Sequence, residues 1–571
     1  MEHLRRYNEW LSNPYFDEKT KKELEEIKDN ENEIKERFFK DLEFGTGGLR
    51  GILGAGTNRM NIYTVRKATQ GLANYIIKQN GQSKGVAIAY DSRRMSPEFA
   101  LETALCLAAN KIKAYLFESL RPTPQLSFAV RELGCIAGVV ITASHNPPEY
   151  NGYKVYWEDG AQVTSPRDVE IIGEVNAIKD FSETKTMSKE DAIKEGLLTV
   201  IGKEIDDRYI DSLKKLVINP ISEKGKELKI VYTPLHGSGN LPVRRILSEL
   251  GFKNVYVVPE QELPDPNFST VAYPNPEDPA VFRLAIELAE KVNADVILAT
   301  DPDADRLGIQ VRDNSGKFVL FNGNMTGALI AEYIFSQKAE KGILPKNSAL
   351  IKTIVSGNMS DQIAKEYNAK LIEVLTGFKY IGEQIRQFEE TGSYEFVFGY
   401  EESYGCLVGT HARDKDAVSA VMTLCEAAAY YKDRGISLFE QMERIYKKYG
   451  YYEEKTVSYT LKGIEGMEKI KSIMEGYRKN PPKTAGGYQI LKIRDYKNNT
   501  ITDLATGEVT PTNLPKSDVL YYEMNDDAWC AVRPSGTEPK IKFYFGVKGN
   551  SKEDAAEKLN RLVNDEVFKV Q

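Results

Sequence analysis

The chain has 571 residues, of which 41% are hydrophobic and 28% charged, with 76 lysines and arginines against 83 aspartates and glutamates. This length exceeds what one hydrophobic core supports and predicts about four domains. The composition is typical of a globular protein in water, and a net charge of −7 argues against a nucleic-acid-binding protein. Apolar runs such as 296–300 are too short to span a bilayer, which argues against a membrane protein.

The N-terminus and the cysteines indicate a cytoplasmic protein. Residues 1–7 lack the apolar core of a signal peptide. The five cysteines are odd in number and widely scattered, and no pair has the spacing of a zinc site. We therefore expect reduced thiols that serve as small apolar core residues.

Along the chain, strand and helix patterns alternate from residue 84 onward, after a charged helical stretch (7–42) and a glycine-rich loop (45–51). Continuous apolar strands between helices predict sheets covered on both faces, so the predicted fold class is α/β. In such sheets ligands bind at the carboxyl ends of strands, where most of the polar motifs fall. The predicted strands are 84–90, 137–141, 228–233, 295–300 and 394–398.

The pattern changes after about residue 450. Two strands (490–494 and 541–545) and a closing helix from Ser551 predict a smaller α+β unit. The long, charged segment 179–204 is predicted to bridge the first and second domains. The predicted domains are 1–205 with the serine loop, 206–320 with the aspartate loop, 321–450 with a sugar-binding loop, and 451–571 with a phosphate-binding loop.

The serine loop is Thr142-Ala-Ser-His-Asn-Pro147, which follows an apolar strand. A serine at a strand end is exposed and rigidly aimed, as a nucleophile must be. Ser144 has His145 and Asn146 beside it, and Pro147-Pro148 fixes the loop. The alternative is a serine in a local turn with a histidine that bonds to the backbone.

The aspartate loop is Asp301-Pro-Asp-Ala-Asp-Arg306, also placed after an apolar strand. Three carboxylates this close repel one another, which predicts a bound cation. A calcium-binding EF-hand would need Gly and Glu where Arg306 and Arg312 stand, so magnesium fits better. The alternative is a solvated acidic turn.

A third loop near the C-terminus combines cationic and hydroxyl side chains. Arginine offers a planar fork, lysine a point charge, and hydroxyl and backbone N–H groups complete a phosphate site. The alternative is a surface turn. The residues that we expect to bind phosphate are Arg533, Ser535, Gly536, Thr537 and Lys540.

Two further segments hold polar side chains that indicate a function less specifically. Glu401, Glu402 and Ser403 end a predicted strand, and carboxylates with a hydroxyl suit vicinal sugar hydroxyls. The segment 411–416 holds ionisable groups that suit acid–base catalysis or form an ordinary charged loop. We interpret His236 as structural.

Taken together, these motifs resemble the α-D-phosphohexomutase superfamily, most closely the phosphoglucomutase branch whose serine loop reads Ser-His-Asn-Pro-Pro-Glu-Tyr. The resemblance runs from Gly45 to the C-terminal helix. It implies four domains around a central cleft: three similar mixed α/β domains and a smaller C-terminal α+β domain.

The resemblance also implies roles for individual residues. Ser144 would carry a phosphoryl group, and its oxygen would join Asp301, Asp303 and Asp305 in binding one Mg²⁺ per subunit. His145 and Lys415 would move the hydroxyl proton, with Arg50 and Lys154 near the transferred phosphoryl. The implied substrate-binding residues are Arg306, Thr376, Gly377, Glu401, Ser403, Arg533, Ser535, Gly536, Thr537 and Lys540.

The implied activity is interconversion of α-D-glucose 1-phosphate and glucose 6-phosphate, with glucose 1,6-bisphosphate as intermediate and activator. Pro148-Glu149 and Tyr400 replace glycines of better-known members, which leaves open a preference for mannose or pentose phosphates. A magnesium-dependent sugar-phosphate phosphatase and a non-catalytic sugar-phosphate sensor are the competing hypotheses. We expect no nucleic-acid or membrane partner, and either a monomer or a homodimer.

Overall fold

The computed structural model describes residues 2–45, 47–461, 463–535 and 540–570 and divides the chain into two compact units. The first unit comprises Met1–Phe321, Phe378–Gly392 and Ser403–Gly435. The second comprises Asn322–Gly377, Ser393–Glu402 and Ile436–Gln571. Within the described residues, no helix is both long and apolar enough to cross a membrane.

The chain begins with three short amphipathic helices in the first unit: α1 (Glu2–Ser12), α2 (Glu18–Glu26) and α3 (Glu31–Phe38). Asp17 and Asn30 cap the second and third helices by accepting backbone N–H bonds. Their apolar faces meet around Trp10, which stacks on Phe16 with ring centroids 4.0 Å apart. The stretch 7–42, predicted to be helical, thus contains three helices that share a small aromatic core.

The first sheet has six strands in the order β1-β5-β4-β2-β3-β6. The strands β2, β3, β4 and β6 run parallel, whereas β1 and β5 are antiparallel additions at one edge. Its strands are β1 (Gly48–Ile52), β2 (Val86–Tyr90), β3 (Ala114–Phe117), β4 (Ala137–Ile141), β5 (Tyr150–Trp157) and β6 (Leu198–Ile201). The helices of this region are α4 (Ile62–Lys78), α5 (Ser96–Ala109), α6 (Thr123–Glu132), α7 (Arg167–Ala177), α8 (Lys189–Lys194) and α9 (Lys203–Lys214).

The second sheet, also in the first unit, has the order β11-β10-β9-β7-β8. Parallel pairs join β7 to β8 and β9, and antiparallel pairs join β9, β10 and β11. The elements are β7 (Lys229–Thr233), α10 (Asn240–Glu249), β8 (Asn254–Val257), α11 (Pro259–Glu262), α12 (Arg283–Val292), β9 (Val296–Thr300), β10 (Leu307–Arg312) and β11 (Phe318–Phe321).

The next region contributes to both units. In the second unit, β12 pairs in parallel with β13 and with β14. The elements are α13 (Gly323–Glu340), β12 (Ser348–Thr353), α14 (Met359–Glu366), β13 (Lys370–Val374), β14 (Glu395–Glu401) and α17 (Leu438–Tyr449). The first unit holds α15 (Phe378–Thr391), β15 (Gly405–Val408) and α16 (Ala417–Asp433).

The C-terminal region of the second unit is a sheet of antiparallel strands in the order β16-β23-β22-β21-β18-β19-β20, with β17 beside β18. Two helices accompany it, α18 (Gly463–Lys479) and α19 (Lys552–Val563). The strands are β16 (Tyr451–Thr460), β17 (Thr484–Ala485), β18 (Tyr488–Asp495), β19 (Thr500–Asp503), β20 (Val509–Thr510), β21 (Leu520–Met524), β22 (Trp529–Pro534) and β23 (Lys540–Gly549).

The predicted α/β class with a smaller sheet-rich C-terminal region is confirmed. The segment 179–204 differs from its prediction as a bridge, because it contains α8 and then β6, which pairs in parallel with β3 at the edge of the first sheet. Apolar side chains of this segment complete the first core, among them Ala192 and Leu198. All five cysteines are buried free thiols, as predicted.

Candidate active site

Ser144 lies just beyond the end of β4, in the first unit, with its hydroxyl directed at the aspartate loop. Its Oγ donates to Asp301 Oδ2 at 2.7 Å and lies 3.2 Å from His145 Nδ1. Its backbone φ is 52°, in the left-handed region, and its N–H donates to Thr142 Oγ1 at 2.8 Å. A non-glycine residue keeps this conformation only where the surrounding contacts enforce it. The serine is therefore held in one orientation by the fold.

Arg93 provides most of that enforcement. Its side chain is fully buried, and its guanidinium donates to four carbonyl oxygens of the serine loop. The distances are 2.5 Å to Ser144 O, 2.8 Å to Pro147 O and 3.1 Å to Tyr150 O, and Asn146 O is the fourth acceptor. An arginine has five fixed N–H donors, so one side chain can order a whole turn.

Asp91 completes this support from the end of β2. Its carboxylate accepts from Thr142 Oγ1 at 2.6 Å and Ser96 Oγ at 2.8 Å, and pairs with Arg93 Nε at 3.3 Å. Both members of this ion pair are buried. An arginine without its carboxylate would leave an uncompensated charge in the interior. Since β2 and β4 are neighbours, the two strand ends are fixed together.

The three predicted aspartates lie together in the loop between β9 and β10. Each offers a carboxylate oxygen within 4.8 Å of the others, and all three side chains are buried. Lys154 Nζ lies 2.8 Å from Asp303 Oδ2, and Lys415 Nζ lies 2.9 Å from Asp305 Oδ2. These two lysines flank the cluster, and Arg306 Nε lies 3.9 Å from Asp305 Oδ1.

Burial and mutual repulsion both act against ionisation of three carboxylates in this cluster. Burial, and then the neighbouring Asp305 and Asp303 charges, raise the pKa of Asp301 well above its usual range. Burial also opposes ionisation of Asp303, but the adjacent Lys154 lowers the pKa of that carboxyl. The Oδ1 atoms of Asp303 and Asp305 are buried and have no hydrogen-bond partner among the residues that the structure describes. Buried carboxylate oxygens without partners are what a hard cation such as Mg²⁺ requires, so these residues fit that ion.

Three further predicted residues surround Ser144. Arg50, on β1, donates to Asn146 Oδ1 at 3.4 Å. Arg306 donates through Nη1 to the carboxylate of Glu277. Burial, followed by the positive charges of Arg306 and Arg50, lowers the pKa of His145 well below its usual value, which keeps this imidazole neutral.

The segment 411–416 separates its ionisable groups. Lys415 extends to Asp305, and its neighbour Asp414 accepts from Tyr156 OH at 2.6 Å. His411 Nε2 instead lies 2.6 Å from Asp416 Oδ2, and Asp416 caps α16. Of this segment, Lys415 is thus the group that reaches the aspartate loop.

In the second unit, the loop after β13 is tied to the end of β14. Gly377 N–H donates to Glu401 Oε1 at 3.0 Å, and Glu401 is buried. Thr376 Oγ1 is buried and has no hydrogen-bond partner within the part of the chain that the structure describes. Glu402 accepts from Thr353 Oγ1 at 3.0 Å. Ser403 belongs to the first unit.

Tyr400 is buried within the second unit, and its predicted link to sugar preference stays a prediction. Tyr400 is only 1% exposed, and its hydroxyl donates to Ser360 Oγ at 3.0 Å. Its ring packs against α13 at Gly327, where an added Cβ would lie 2.4 Å from the ring. This tyrosine is a core residue that supports β14 from behind.

The phosphate-binding loop begins at the end of β22. Arg533 pairs with Lys542 across β22 and β23, and Ser535 N–H donates to Lys540 O at 2.7 Å. The side chains of Arg533, Ser535 and Lys540 are partly exposed. The predicted residues Gly536 and Thr537 lie outside the described residues.

Sequence reasoning missed several residues that hold the site together. Asp91 and Arg93 support the serine loop, Thr123 Oγ1 donates to Asp303 at 2.9 Å, and Glu277 pairs with Arg306. The available signal is the polar run Asp91-Ser-Arg-Arg94 directly after the strand predicted at 84–90. Thr123 and Glu277 had no signal of this kind.

Comparisons with known proteins identify the family. Models described as phosphoglucomutase/phosphomannomutase α/β/α domains I, II and III match residues 41–181, 207–316 and 322–449. A Staphylococcus aureus phosphoglucomutase is 39% identical over 538 residues, which cover 93% of this chain and 94% of that protein.

Solved structures show the same fold. A phosphoglucomutase/phosphomannomutase family protein from Burkholderia thailandensis has a TM-score of 0.65 at 19% identity, covering 91% of this chain and 95% of that one. The open form of the Paramecium phosphoglucomutase parafusin has a TM-score of 0.65 at 18% identity, covering 92% and 93%. The predictions of a phosphohexomutase and of a phosphotransferring isomerase are confirmed. The chain belongs to the phosphoglucomutase/phosphomannomutase family of the α-D-phosphohexomutase superfamily.

Proposed function

We propose that this chain interconverts α-D-glucose 1-phosphate and glucose 6-phosphate through phosphorylated Ser144. The observation that supports this most strongly is the hydrogen bond of 2.7 Å between Ser144 Oγ and Asp301, inside a cluster of three buried aspartates. The 39% identity to a phosphoglucomutase supports glucose as the sugar. A serine nucleophile beside a cation site is the arrangement that phosphoryl transfer through a covalent intermediate needs.

Asp301, Asp303 and Asp305, together with the Ser144 oxygen, would hold one Mg²⁺. Their oxygens are the donor type that this ion prefers, and the Oδ1 atoms of Asp303 and Asp305 have no hydrogen-bond partner in the described part of the chain. When bound, the ion would neutralise charge on the phosphoryl oxygens. Lys154 and Lys415 would remain as the flanking cations.

The chemical step exchanges one phosphate ester for another. The bond between phosphorus and Ser144 Oγ breaks, a bond to the free sugar hydroxyl oxygen forms, and the hydroxyl proton leaves. The product is glucose 1,6-bisphosphate, which reorients and returns its other phosphoryl group to Ser144. We assign movement of the proton to His145, which is kept neutral by its lowered pKa, and to Lys415.

The remaining predicted residues bind charge or hydroxyl groups. Arg50, Lys154 and Arg306 would stabilise negative charge as the phosphoryl group transfers. Thr376, Gly377, Glu401 and Ser403 would contact the sugar. The non-reacting phosphate would bind to Arg533, Ser535, Gly536, Thr537 and Lys540.

Several broader assignments accompany this proposal. The four domains are 1–205, 206–320, 321–450 and 451–571. Glucose 1,6-bisphosphate would act as activator by restoring phosphorylated Ser144. We place the enzyme in the cytoplasm, with hexose phosphates as substrates and either a monomeric or a homodimeric state.

The test is a comparison of kcat/KM for α-glucose 1-phosphate, mannose 1-phosphate and ribose 1-phosphate, with Mg²⁺ and a trace of glucose 1,6-bisphosphate. We expect glucose 1-phosphate to be preferred. A preference for ribose 1-phosphate or mannose 1-phosphate would make the chain a phosphopentomutase or a phosphomannomutase with the same chemistry. Net release of inorganic phosphate without isomerisation would contradict a mutase and indicate a phosphatase.

A further inference from the structure

Inside the second unit, an ion-pair bridge links two sheets. The third sheet contains β12, β13 and β14, and the fourth is the C-terminal sheet of β16 to β23. Arg494, on β18, donates through Nη1 to Glu373 Oε2, on β13, at 2.8 Å. The same guanidinium donates through Nε to Glu523 on β21. One planar fork thus joins a carboxylate of its own sheet to a carboxylate of the other sheet.

On the third sheet, the bridge ends at the base of the proposed sugar-binding loop. Glu373 is the next-to-last residue of β13 and precedes Thr376 by three positions. It pairs in register with Lys352, whose buried Nζ lies 3.8 Å from the Glu373 carboxylate and 3.0 Å from Asn358 Oδ1. The next strand continues the same row with Tyr400, which pairs with Lys352 beside Glu401. The bridge therefore rests on the strands that present both sugar-binding segments.

On the fourth sheet, the bridge lies on the face that carries Arg533. Arg494 pairs with Tyr521, and Tyr521 pairs with Ala531, so these three side chains point to one face. Arg533 follows Ala531 by two residues on the same strand and shares that face. The Arg494 guanidinium lies 5.0 Å from the Tyr521 ring centroid, and this ring stacks on Trp529 at 5.4 Å. A series of contacts from Glu373 through Arg494 and Tyr521 to Trp529 thus reaches β22, the strand that carries Arg533.

The geometry points to a positioning role: Arg494 and Glu373 set the spacing between the sugar-binding loop and the phosphate-binding loop, and so determine how tightly a sugar monophosphate is bound. This inference rests on the proposed function of those two loops. A ligand that contacts both loops gains from a fixed spacing, because misplacing one contact loses binding in the ground state and the transition state alike.

The test compares variants of the bridge with a variant of a similar ion pair elsewhere in the same region. Arg494→Met removes the bridge, Arg494→Lys keeps the charge but not the fork, and Glu373→Gln removes the partner charge. Arg478→Met is the control, because Arg478 on α18 pairs with Asp495 and Asp518, both within the C-terminal region. The side chains of Arg494 and Arg478 are 22% and 12% exposed, so each substitution removes an ion pair from a largely buried position.

We expect Arg494→Met to raise KM for glucose 1-phosphate about tenfold and to leave kcat within about twofold. Arg494→Lys should recover part of the loss, since lysine supplies charge without the second contact. The double variant with Glu373→Gln should be no worse than the more severe single variant, because the two residues act as a pair. Arg478→Met should lower the melting temperature but leave KM unchanged.

A wild-type KM in Arg494→Met, with a loss of stability like that of Arg478→Met, would overturn the positioning role. Additive effects of the two bridge variants would overturn the pairing. If the wild-type protein shows no mutase activity, the proposed function fails, and calorimetric binding of glucose 6-phosphate then tests the bridge separately. In that experiment Arg494→Met should weaken Kd about tenfold, and an unchanged Kd would contradict the inference.

Discussion

The serine and aspartate loops of the first unit differ from the sugar- and phosphate-binding loops of the second in how their side chains are fixed. Ser144 contacts Asp301 directly, and Arg93 binds four carbonyls of its loop. In the second unit the loops are fixed at their bases, for instance between Gly377 and Glu401, whereas Thr376 Oγ1 has no partner within the described residues.

This difference matches the two tasks. The rate of a chemical step falls by about two orders of magnitude when a reacting group is displaced by 1 Å. The side chains that carry out the reaction therefore need to be held rigidly. In the proposed mechanism, the loops of the second unit would accept a phosphate at either end of the sugar, so their donors would need to serve two orientations. We expect changes in the first unit to reduce mainly kcat and changes in the second to raise mainly KM.

The largest effect is expected for Ser144→Ala. Without the Oγ atom no phosphoserine forms, and turnover should fall by at least about 10⁴-fold in a coupled assay of glucose 6-phosphate formation. Ser188→Ala is the control, because Ser188 caps the distant helix α8 and its loss should affect stability only. Near-normal turnover by Ser144→Ala would contradict the covalent mechanism.

Removal of divalent cations should have the next largest effect. Chelation with EDTA is expected to lower kcat at least about 100-fold, with recovery on addition of Mg²⁺. In Asp303→Asn, Mg²⁺ should no longer restore the rate, whereas Asp313→Asn should behave as wild type. Asp313 is a suitable control since it only orders the turn at Ser315 and Lys317. Full activity in EDTA would show that the cluster is not a metal site.

Arg93→Lys should lower kcat about 10- to 100-fold with KM nearly unchanged, because one ammonium cannot reach four carbonyls. The matched control is Arg312→Lys, the same substitution at an arginine that lies over the Phe318 ring and not at the serine loop. Steady-state kinetics on both variants, with circular dichroism to confirm folding, decides the outcome. If Arg93→Lys raises KM and spares kcat, the serine loop does not depend on this arginine for its catalytic geometry.

Arg533→Gln tests the other half of the comparison. Loss of one charged contact to the non-reacting phosphate should raise KM about tenfold and change kcat by less than about threefold. Lys548→Gln, on β23 but paired with Asp527, serves as the control. A large fall in kcat at constant KM would place Arg533 in the chemical step instead.

A smaller effect concerns the pH dependence of stability in the second unit. Burial, and then the nearby Glu453 charge, raise the pKa of Glu454 from 4.5 to about 7. The folded protein therefore binds more protons than the unfolded chain between these values, and the free energy of unfolding decreases as pH rises through this window.

Glu454→Gln should remove about 2.5 kcal/mol of this dependence between pH 5 and pH 8, as measured by urea unfolding at both pH values. Glu443→Gln is the control, because Glu443 lies on the neighbouring helix α17 and pairs with Lys552. Parallel pH profiles for wild type and Glu454→Gln would contradict the assignment.

The sequence alone predicted the residues that stand in short, recognisable motifs. Ser144 and the three aspartates each follow an apolar strand, which is where ligands bind in α/β sheets. Their strands, β4 and β9, belong to different sheets, so it was the resemblance to the family that predicted their proximity in space. Arg93 could not be assigned in this way, because its partners are backbone carbonyls more than 50 positions away. The core position of Tyr400 could not be assigned from the sequence, because every residue of β14 after Glu395 is buried and no exposed face marks the residues that line a site.

Other features depend on contacts between residues that are far apart in the chain. The segment 179–204 is charged like a linker, but four residues of it add a strand to the first sheet. Gly536 and Thr537 stay predictions, as do the roles of the residues that bind sugar and phosphate. The Arg494–Glu373 bridge joins residues 121 positions apart and has no motif.

The most direct test of the account is to locate the phosphoryl group. The protein would be incubated with glucose 1,6-bisphosphate, digested, and analysed by mass spectrometry, then treated with glucose 6-phosphate and analysed again. We predict one phosphoryl group on the peptide that contains Ser144, lost on the second treatment as glucose 1,6-bisphosphate forms. An unmodified Ser144 in a protein that still turns over substrate, or a phosphoryl group on an aspartate, would contradict the mechanism.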